Sequence, residues 1–576
     1  MPEYDNATIG GMLDDFGDLL EIAGADRYRT LSYHKAAHAI RAWDEDITRT
    51  AAEGRLGEIP GVGAKLGAVI SSIIARGSFP EFEEVAQSLP ASITELMRVS
   101  GVGPKKAKAL YEERGVASVN DLAEALEEGR LEGLPGFGAK TIDNVRAGIE
   151  RYRAISARML LADALPLAER LAASLDELPV VEAASLAGSI RRMKETVGDV
   201  DVLVASRDPA AVMEAVRLLP MVTSVVASEE TKTSVLTASG RQADVRVVAP
   251  ESWGAALQYF TGSAGHNVRL REIAKARSLK ISEYGVFDAT GSRVAGATEE
   301  DVYAVLGMPL MPPEIRENTG EIDLALRGEL PELVTAGDIR GDLHSHTPAT
   351  DGKSSLEKNR QRAAELGYEY LGCSDHAYDL RMVGGLDLSQ LEEQWDEIDT
   401  LNALGDGPVL LKAIELNIDD EGGVDYPHDV LARFDYCIAS LHHGFGQPRE
   451  KATQRLLRAM ENPYVDIIGH PTGRLLGRRE PFDLDMEAVV AKAAETGTAL
   501  ELNAHPERLD LNDVHLRLAR KAGVSICIST DAHDATHFSF LKWGVATARR
   551  GWIGPADVLN AQPLDVLVAR LKRNRR

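Results

Sequence analysis

Three aspartates in the middle of the chain have the spacing of ligands for divalent cations. Asp199 and Asp201 lie two residues apart in a strand-like run, so both side chains point to one face. Asp244 lies in a later strand-like run and can join them if the two strands pair. Three carboxylates repel one another unless cations lie between them, which fits a pair of Mg²⁺ ions that bridge phosphates. The alternative is ordinary alternation on a solvent-facing strand, and the Asp-x-Asp pair alone would favour it.

The C-terminal half carries a second set of chemically active side chains, and eleven of the 14 histidines lie after residue 340. Neutral imidazoles mixed with carboxylates suit Zn²⁺, Mn²⁺ or Fe²⁺, and bridging carboxylates allow up to three ions. A lone histidine is more often structural than a ligand, but so many candidates at the ends of predicted strands are hard to obtain by chance. The candidate ligands are His344, His346, Asp351, His376, Glu415, His442, His470, Asp531 and His533.

A repeated glycine motif indicates contact with a phosphate backbone. Glycine permits positive φ and lets backbone N–H groups approach a phosphate, and the N-terminus of the following helix adds its positive end. A single copy would indicate only a turn between packed helices, but three copies with a nearby lysine favour binding to a phosphate backbone. The glycines and lysines are Gly61, Gly63 and Lys65, then Gly101, Gly103 and Lys105, then Gly136, Gly138 and Lys140.

The elements that must position these groups change along the chain. Residues 1–150 show amphipathic helical runs, and residues 151–250 contain strand-like runs. Residues 308–338 are rich in Pro, Glu and Gly, which indicates a linker. After it, six short apolar runs each end in polar residues, as in strands that are buried on both faces of a parallel sheet. Polar groups at successive strand ends predict the mouth of a β/α barrel.

Length and charge narrow the function classes. A chain of 576 residues exceeds one compact domain. Its net charge of −25 arises largely in residues 301–450, which hold 11 Lys+Arg and 30 Asp+Glu. Residues 101–300 hold 25 Lys+Arg and 28 Asp+Glu and are nearly neutral, so the acidic composition does not exclude binding to nucleic acid. There is no apolar run that could span a membrane and no secretory signal, and three cysteines without a CxxC motif exclude a disulfide scaffold. We therefore expect a cytoplasmic protein.

Residues 1–315 resemble X-family DNA polymerases, and the glycine repeats resemble their helix-hairpin-helix modules. The matching palm segments are Gly188-Ser189, Arg191-Arg192, Gly198-Asp199-Val200-Asp201 and Asp244-Val245-Arg246, followed by the thumb segment Tyr259-Phe260-Thr261-Gly262-Ser263. The resemblance implies that Asp199, Asp201 and Asp244 are catalytic and hold two Mg²⁺ or Mn²⁺ ions. It implies nucleotide contacts by Gly188, Ser189, Arg158, Arg192, Gly198, Tyr259, Phe260, Gly262, Asn267 and Arg271. It adds Arg246, Glu283 and Tyr284 to the DNA contacts of the glycine motifs.

One position departs from the pattern of X-family DNA polymerases. Members with deoxyribose-phosphate lyase activity carry a Schiff-base lysine shortly after the first hairpin, and this chain has Val69 there. Valine cannot form an imine, so we expect no lyase activity by that route. Lys65 and Lys35 are possible substitutes, but phosphate contacts suit them better.

Residues 339–576 resemble the PHP (polymerase and histidinol phosphatase) domain, a seven-stranded β/α barrel. The matching segments are His344-x-His346, Ser374-Asp375-His376, Glu415-Leu416-Asn417, Ser440-Leu441-His442, Gly469-His470-Pro471 and Asp531-Ala532-His533. Every expected ligand position is filled, which implies an active phosphoesterase with up to three Mn²⁺ or Zn²⁺ ions. Asp375 is expected to orient a neighbour rather than bind metal, and His505 to lie outside the ligand set.

The sequence thus predicts a multidomain α/β protein. Residues 1–90 and 91–150 form helix-hairpin-helix domains, 151–248 a nucleotidyltransferase palm, 249–315 a thumb, 316–338 a linker and 339–576 the PHP barrel. The predicted function is gap-filling DNA synthesis with 3′-end trimming in DNA repair, by a monomer that binds gapped or nicked DNA and dNTPs. The alternatives are a small-molecule phosphomonoesterase and a non-catalytic DNA-end-binding scaffold.

Overall fold

The computed structural model describes residues 6–41, 43, 45–99, 101–156, 158–238, 240–378 and 384–574. Its first part is helical, and apolar side chains from Ile9 to Ile149 form one continuous core, so the two predicted helix-hairpin-helix domains pack as one body. Short 3-10 helices cover Leu56–Glu58 and Ala91–Arg98. The α-helices are α1 (Asn6–Ala23), α2 (Arg27–Arg41), α3 (Ile47–Ala52), α4 (Ala64–Arg76), α5 (Pro80–Ala86), α6 (Pro104–Arg114), α7 (Val119–Glu127) and α8 (Ala139–Ser156).

The second part is a five-stranded sheet that carries the three aspartates. Its elements are β1 (Met159–Leu160), α9 (Leu161–Asp176), β2 (Val181–Leu186), α10 (Gly188–Arg191), β3 (Thr196–Val197), β4 (Val200–Ser206), α11 (Pro209–Leu218), β5 (Val222–Ser228), β6 (Lys232–Thr237) and β7 (Gln242–Val248). The strand order is β2-β4-β7-β6-β5, and β4 and β7 run parallel. Because Asp201 pairs with Asp244 in that register, the strand pairing assumed from the sequence is present.

A smaller α/β unit follows, with a three-stranded antiparallel sheet. Its elements are α12 (Trp253–Thr261), α13 (Ala264–Ala276), β8 (Lys280–Ser282), β9 (Gly285–Phe287), β10 (Arg293–Ala295), α14 (Glu299–Val305) and α15 (Glu321–Arg327), with 3-10 helices at Pro250–Ser252 and Pro313–Ile315. The structure differs here from the expected linker over residues 316–338. Ile322 and Ala325 of α15 are buried in the core of this unit, and Arg316 is fully buried beside Glu299. The apolar residues of this segment, rather than its Pro and Gly content, decide its packing.

The last part is the seven-stranded β/α barrel that the sequence predicts, with strand order β11 to β17 and all pairs parallel. Backbone hydrogen bonds from Ala532 to His344 and from His346 to Ala532 join its two ends. Its elements are β11 (Gly341–Asp342), α16 (Leu356–Glu365), β12 (Tyr370–Cys373), α17 (Leu388–Ala403), β13 (Val409–Asn417), α18 (His428–Leu431), β14 (Tyr436–Ser440), α19 (Arg449–Ala459), β15 (Ile467–Ile468), α20 (Met486–Thr496), β16 (Ala499–Asn503), α21 (Asp513–Lys521), β17 (Ile526–Ser529), α22 (Leu541–Arg550) and α23 (Leu564–Arg570). Further 3-10 helices cover Ala336–Asp338, Ala535–Phe540, Pro555–Asp557, Leu559–Ala561 and Lys572–Asn574.

The barrel packs against the other parts of the chain. Phe540 and Trp543 of the barrel lie in the core of the five-stranded sheet, and Arg474 pairs with Glu195 there at 2.6 Å. On the helical part, the buried carboxylate of Asp14 pairs with Arg478 of the barrel at 2.9 Å. The barrel therefore contacts the sheet through apolar and charged side chains and the helical part through a charged pair. Within the described residues, no helix is both long and apolar enough to cross a membrane.

Candidate active sites

The three aspartates of the five-stranded sheet converge on one point. Asp199, Asp201 and Asp244 each offer a carboxylate oxygen, and these oxygens lie within 4.8 Å of one another. Burial raises the pKa of Asp201 to about 7, and the charges of Asp199 and Asp244 add to the effect. Cations between the three carboxylates would offset this mutual repulsion. The donors are all oxygen, which suits Mg²⁺ or Mn²⁺.

Lys232 is a member of this site that sequence reasoning missed. Its Nζ lies 2.5 Å from Oδ2 of Asp244, and Gln242 donates a hydrogen bond to Oδ1 at 2.9 Å. Burial alone would raise the pKa of Asp244, but the hydrogen bonds from Lys232 and Gln242 hold it below its ordinary value. These contacts favour the ionised form of Asp244, whereas the surroundings of Asp201 disfavour its ionised form. The available sequence signal was the position of Lys232 on the strand that precedes Asp244 and pairs with it.

Gly188 lies against the aspartates in a conformation that only glycine adopts readily. Its φ is +59°, and a Cβ at this position would collide with the carboxylate of Asp201. Gly188 and Ser189 open the short helix α10, next to the carboxylates. Gly198 lies directly before Asp199, beside the guanidinium of Arg158. These backbone positions can be approached closely by a phosphate.

The arginines expected at the triphosphate are engaged with the protein. Arg192 donates from Nη1 to the carbonyl of Thr261 at 2.5 Å and pairs through Nε with Glu317 at 3.0 Å. Arg158 is exposed and donates to Thr196 through both Nε and Nη2. Arg192 thus ties the aspartate sheet to the following unit. Their nucleotide contacts stay a prediction.

The predicted base-facing and sugar-facing residues surround the end of α12. Asn267 is buried, accepts a hydrogen bond from Gln258 and donates one to the carbonyl of Tyr259 at 2.7 Å. The guanidinium of Arg246 lies 4.5 Å from the ring centre of Phe260, which makes edge contact with Tyr259. These contacts connect the aspartate strand β7 with α12. Four further expected contact residues lie nearby in the chain. Gly262 is buried, Arg271 is exposed on α13, and Glu283 and Tyr284 form the turn between β8 and β9.

The glycine motifs adopt one shared geometry, and we name them hairpins 1, 2 and 3 (Gly61–Gly63, Gly101–Gly103 and Gly136–Gly138). The first glycine of each has positive φ: +77° at Gly61, +92° at Gly101 and +85° at Gly136. Gly63 and Gly103 are the N-caps of α4 and α6 and offer no side chain to the first-turn N–H groups. Lys105 and Lys140 are exposed, whereas Lys65 pairs with Glu81 at 2.8 Å. Positive φ at the first glycine is therefore common to the three motifs, and hairpins 1 and 2 also begin helices whose N-termini have no side-chain cap.

The position of the missing lyase lysine is apolar in the structure as well. Val69 is buried in α4, within the core of the helical part. Lys35 and Lys65 are both exposed.

The mouth of the barrel brings all nine candidate ligands together. Glu415 lies at the centre, because its carboxylate contacts His376 at 2.9 Å and both His442 and His470 at 3.1 Å. Asp531 lies 3.1 Å from Nε2 of His346. Three overlapping sets have donor atoms within 4.8 Å of one another: His346, Asp351, His376 and His533; His344, His346 and Asp531; and His376, Glu415 and His442.

Three of the donor atoms have no hydrogen-bond partner that would compete with a bound metal. Nε2 of His344, Nδ1 of His346 and Oε2 of Glu415 are buried and make no hydrogen bond within the described residues. Burial, together with the charges of His533 and His376, lowers the pKa of His346 to about 4, so its imidazole is neutral. Burial alone would raise the pKa of Glu415, but the neighbouring imidazoles hold it well below its ordinary value. Orphaned lone pairs on imidazole and ionised carboxylate therefore fit divalent ions.

A layer of hydrogen bonds behind the ligands fixes their orientation. Oε1 of Glu501 lies 2.7 Å from Nδ1 of His344, and Oδ1 of Asn417 lies 2.7 Å from Nδ1 of His442. Asp375 accepts hydrogen bonds from Thr347, Thr350 and Gln394, so it holds the loop that carries Asp351. Glu501 was missed as a functional residue, although it occupies a strand of the same parallel series.

His505 lies outside the cluster of nine candidate ligands. The ring of His505 packs 5.1 Å from that of Phe540, and its Nδ1 accepts a hydrogen bond from the backbone of Glu507.

Comparison with known proteins identifies the parts of the chain. A helix-hairpin-helix domain profile matches residues 4–79, a SAM-like helix-hairpin-helix tandem profile matches residues 93–151, and a DNA polymerase beta thumb profile matches residues 256–317. The rat (Rattus norvegicus) DNA polymerase lambda is 26% identical over 322 residues, which cover 51% of this chain and 53% of that protein. These matches define a DNA-binding X-family polymerase architecture over the first part of the chain.

Two further relatives are similar in sequence, one to the barrel and the other to the whole chain. A probable phosphatase of Thermoanaerobacter sp. (strain X514) is 32% identical over 203 residues, which cover 33% of this chain and 78% of that protein. The DNA polymerase/3′-5′ exonuclease PolX of Bacillus subtilis (strain 168) is 37% identical over 566 residues, which cover 98% of both chains. The chain belongs to the PolX family, in which an X-family DNA polymerase carries a C-terminal PHP domain.

Proposed function

We propose that the chain carries two separate active sites, one for template-directed gap filling and one for the removal of nucleotides from DNA 3′ ends in repair. The observation that supports this most directly is the presence of two donor clusters of different chemistry. One contains three carboxylates, Asp199, Asp201 and Asp244, and the other is the nine-membered set around Glu415, which His470 joins through its contact with Glu415. The hairpins and the thumb in the same chain favour gapped or nicked DNA and dNTPs as substrates.

In the palm, the protein positions charge around the reacting phosphates. Mg²⁺ or Mn²⁺, two ions held by the three aspartates, would make the primer 3′-OH more acidic and neutralise the triphosphate. Gly188 lets the backbone pack directly against the carboxylate of Asp201, since a Cβ there would collide with that carboxylate. Lys232 and Gln242 keep Asp244 ionised and oriented. Tyr259, Phe260 and Arg246 border the end of α12, where we expect the sugar and the base to lie.

In the barrel, the nine ligands would hold up to three Mn²⁺ or Zn²⁺ ions. Those ions would activate water and stabilise the departing 3′-oxygen of a phosphodiester. The chain itself fixes the imidazole rings through Glu501 and Asn417 and fixes the Asp351 loop through Asp375. Because the cluster lies at strand ends of a packed barrel, its donors are held by rigid elements.

A second candidate for the barrel is hydrolysis of small phosphate monoesters, which the printed name of the Thermoanaerobacter relative favours. The attached hairpins favour DNA instead, and the complete donor sets disfavour a non-catalytic end-binding scaffold. We expect a monomer that acts with nucleoid DNA in the cytoplasm.

The discriminating experiment uses wild-type protein with three substrates. Extension of a primer in gapped DNA should need the dNTP that complements the template base. A 3′-labelled strand should be shortened in Mn²⁺ far more efficiently than p-nitrophenyl phosphate is hydrolysed. Extension that ignores the template, or a higher kcat/KM on the monoester than on DNA, would refute the corresponding half of the proposal.

A further inference from the structure

Arg550, the last residue of α22 in the barrel, reaches the palm beside Arg192, the predicted triphosphate contact. Its Nη1 donates to the backbone carbonyl of Arg192 at 2.8 Å and to Oε1 of Glu317 at 3.0 Å. Nε of Arg192 lies 3.0 Å from the same oxygen of Glu317. One guanidinium of the barrel therefore holds both the backbone of Arg192 and the carboxylate that the side chain of Arg192 contacts.

Contacts within the barrel fix the side chain of Arg550. It is 5% exposed, and its Nη2 pairs with Asp513, the first residue of α21, at 2.6 Å. Burial alone would raise the pKa of Asp513, but the charge and the hydrogen bond of Arg550 hold it below its ordinary value. A buried guanidinium that uses both terminal nitrogens keeps one geometry, because its donors form a rigid planar fork. Arg550 thus ties the position of two barrel helices to the palm.

Arg192 lies where the palm meets the segment expected at the incoming nucleotide. Its backbone N–H donates to the carbonyl of Gly188 at 3.4 Å, which closes the turn that packs against Asp201. Its Nη1 donates to the carbonyl of Thr261 at 2.5 Å, and a Cβ on Gly262 would lie 3.1 Å from that nitrogen. A displacement of Arg192 would therefore disturb both the Gly188 turn and the end of α12.

Glu317 shares one oxygen atom between two guanidinium groups. Burial alone would raise its pKa, but the charges of Arg192 and Arg550 hold it below its ordinary value. Without Arg550, the carboxylate would be balanced chiefly by Arg192 and would hold that guanidinium more tightly against the protein. A triphosphate competes for the same guanidinium, so Arg550 determines how readily Arg192 is available to it.

We propose that Arg550 is a positioning residue of the polymerase site, through which the barrel holds Arg192 in place for the triphosphate of the incoming dNTP. Arg550 itself touches no nucleotide, because it acts by fixing the backbone of Arg192 and by sharing Glu317 with it. The inference rests on the proposed gap-filling function and on the predicted contact between Arg192 and the triphosphate. It makes the barrel fold a structural part of the polymerase site, and the barrel metal ligands take no part in this role.

The first test measures the kinetics of single-nucleotide extension on gapped DNA by the full chain. Arg550→Gln should raise KM for the dNTP about 5- to 50-fold, the range expected for one lost coupled contact, while kcat changes much less. The factor should be the same for all four dNTPs, because a contact with the triphosphate does not read the base. An unchanged KM, or a rise for only some of the bases, would overturn the inference.

Arg549→Gln is the matched control, because Arg549 precedes Arg550 on α22 and crosses the same interface. Its Nε donates to Glu314 at 2.7 Å and its Nη1 to the carbonyl of Val334 at 3.3 Å. Within the described residues it forms no hydrogen bond or ion pair with Arg192. This variant should keep the wild-type KM for dNTPs. A rise equal to that in Arg550→Gln would contradict a specific role of Arg550.

A double-mutant cycle tests whether Arg550 acts through Arg192. In an Arg192→Gln background, Arg550→Gln should add little to KM, because the side chain that it positions is absent. Two separate effects that simply multiply would refute the positioning role. The same cycle with Arg550→Lys, which keeps a charge beside Asp513, should give a smaller rise and covers the case in which Arg550→Gln does not fold.

Shortening of a labelled 3′ end by the same proteins reports on the barrel. It should continue at the wild-type rate in Arg550→Gln, which would show that the barrel keeps its fold while the KM for dNTPs rises. A wild-type protein that fails to extend a primer in gapped DNA would instead refute the proposed polymerase function. Wild-type extension together with a wild-type KM in Arg550→Gln would refute this inference alone.

Discussion

Oε1 of Glu501 lies 2.7 Å from Nδ1 of His344 and turns the opposite ring nitrogen, Nε2, towards Glu415 and Asp531. Both residues are fully buried, so this contact is not exchanged with water. The second oxygen of Glu501 accepts the backbone N–H of His470 at 2.5 Å. One carboxylate outside the ligand set therefore orients two of its members.

Replacing Glu501 should weaken metal binding by the barrel without removing a ligand. In Glu501→Ala, His344 loses the partner that fixes its ring, so we expect about 10- to 100-fold lower affinity for Mn²⁺. Titration calorimetry of the metal-free protein measures this directly. Glu495→Gln on the exposed face of α20 is the control. Unchanged Mn²⁺ affinity in Glu501→Ala would refute the orienting role.

Substitution of Gly188 should affect the palm alone. Gly188→Ala places a methyl group against the carboxylate of Asp201 and forces a positive φ on alanine. We expect primer extension to be lost while shortening of a labelled 3′ end continues at the wild-type rate. Gly57→Ala serves as the control, because that glycine has ordinary φ and open space around it. Extension at the wild-type rate would contradict the assignment of this position.

Reversal of one charge should release the helical part from the barrel. Arg478→Glu places a carboxylate beside Asp14, which is 2% exposed, and near Glu507. We expect a larger radius of gyration in small-angle X-ray scattering and faster proteolysis between the helical part and the palm. Arg478→Lys keeps the charge and should resemble the wild type. An unchanged radius for Arg478→Glu would contradict the role of Arg478 and leave other contacts, such as Arg41 with Glu507 at 3.8 Å, to hold the two parts together.

The buried valine of α4 predicts an absent activity. A protein with Val69 at this position should not form a borohydride-trapped adduct with 5′-deoxyribose-phosphate DNA, because no amine is available there. Trapping that persists in Lys35→Ala and Lys65→Ala would point to a lysine elsewhere, whereas loss of trapping in either variant would identify a substitute nucleophile.

Parts of the fold and of both sites could be predicted from the sequence for a physical reason. The carboxyl ends of parallel strands meet at one edge, so ligands such as His376, Glu415 and His442 had to approach one another once their strands were recognised. Likewise, the proximity of Asp201 and Asp244 follows from the pairing of their two strands. Glu501 and Lys232 were missed because a hydrogen bond between residues 157 positions apart, or a lysine on a neighbouring strand, leaves no local pattern.

The structure of residues 316–338 differs from the expected linker for another reason. Composition alone made residues 316–338 resemble an exposed connection, but Ile322 and Ala325 lie one helical turn apart and enter a core. The fully buried Arg316 has its partner Glu299 on α14, 17 residues earlier. Such pairing depends on the tertiary fold.

The central claim is that one chain holds two independent metal-dependent sites, and one gapped DNA substrate tests it directly. With wild-type, Asp244→Ala and His344→Ala proteins, extension and 3′ shortening are followed on the same labelled primer. We predict that Asp244→Ala abolishes extension and retains shortening, and that His344→Ala does the reverse. Loss of both activities in either variant, with the protein still folded by circular dichroism, would contradict the two-site account.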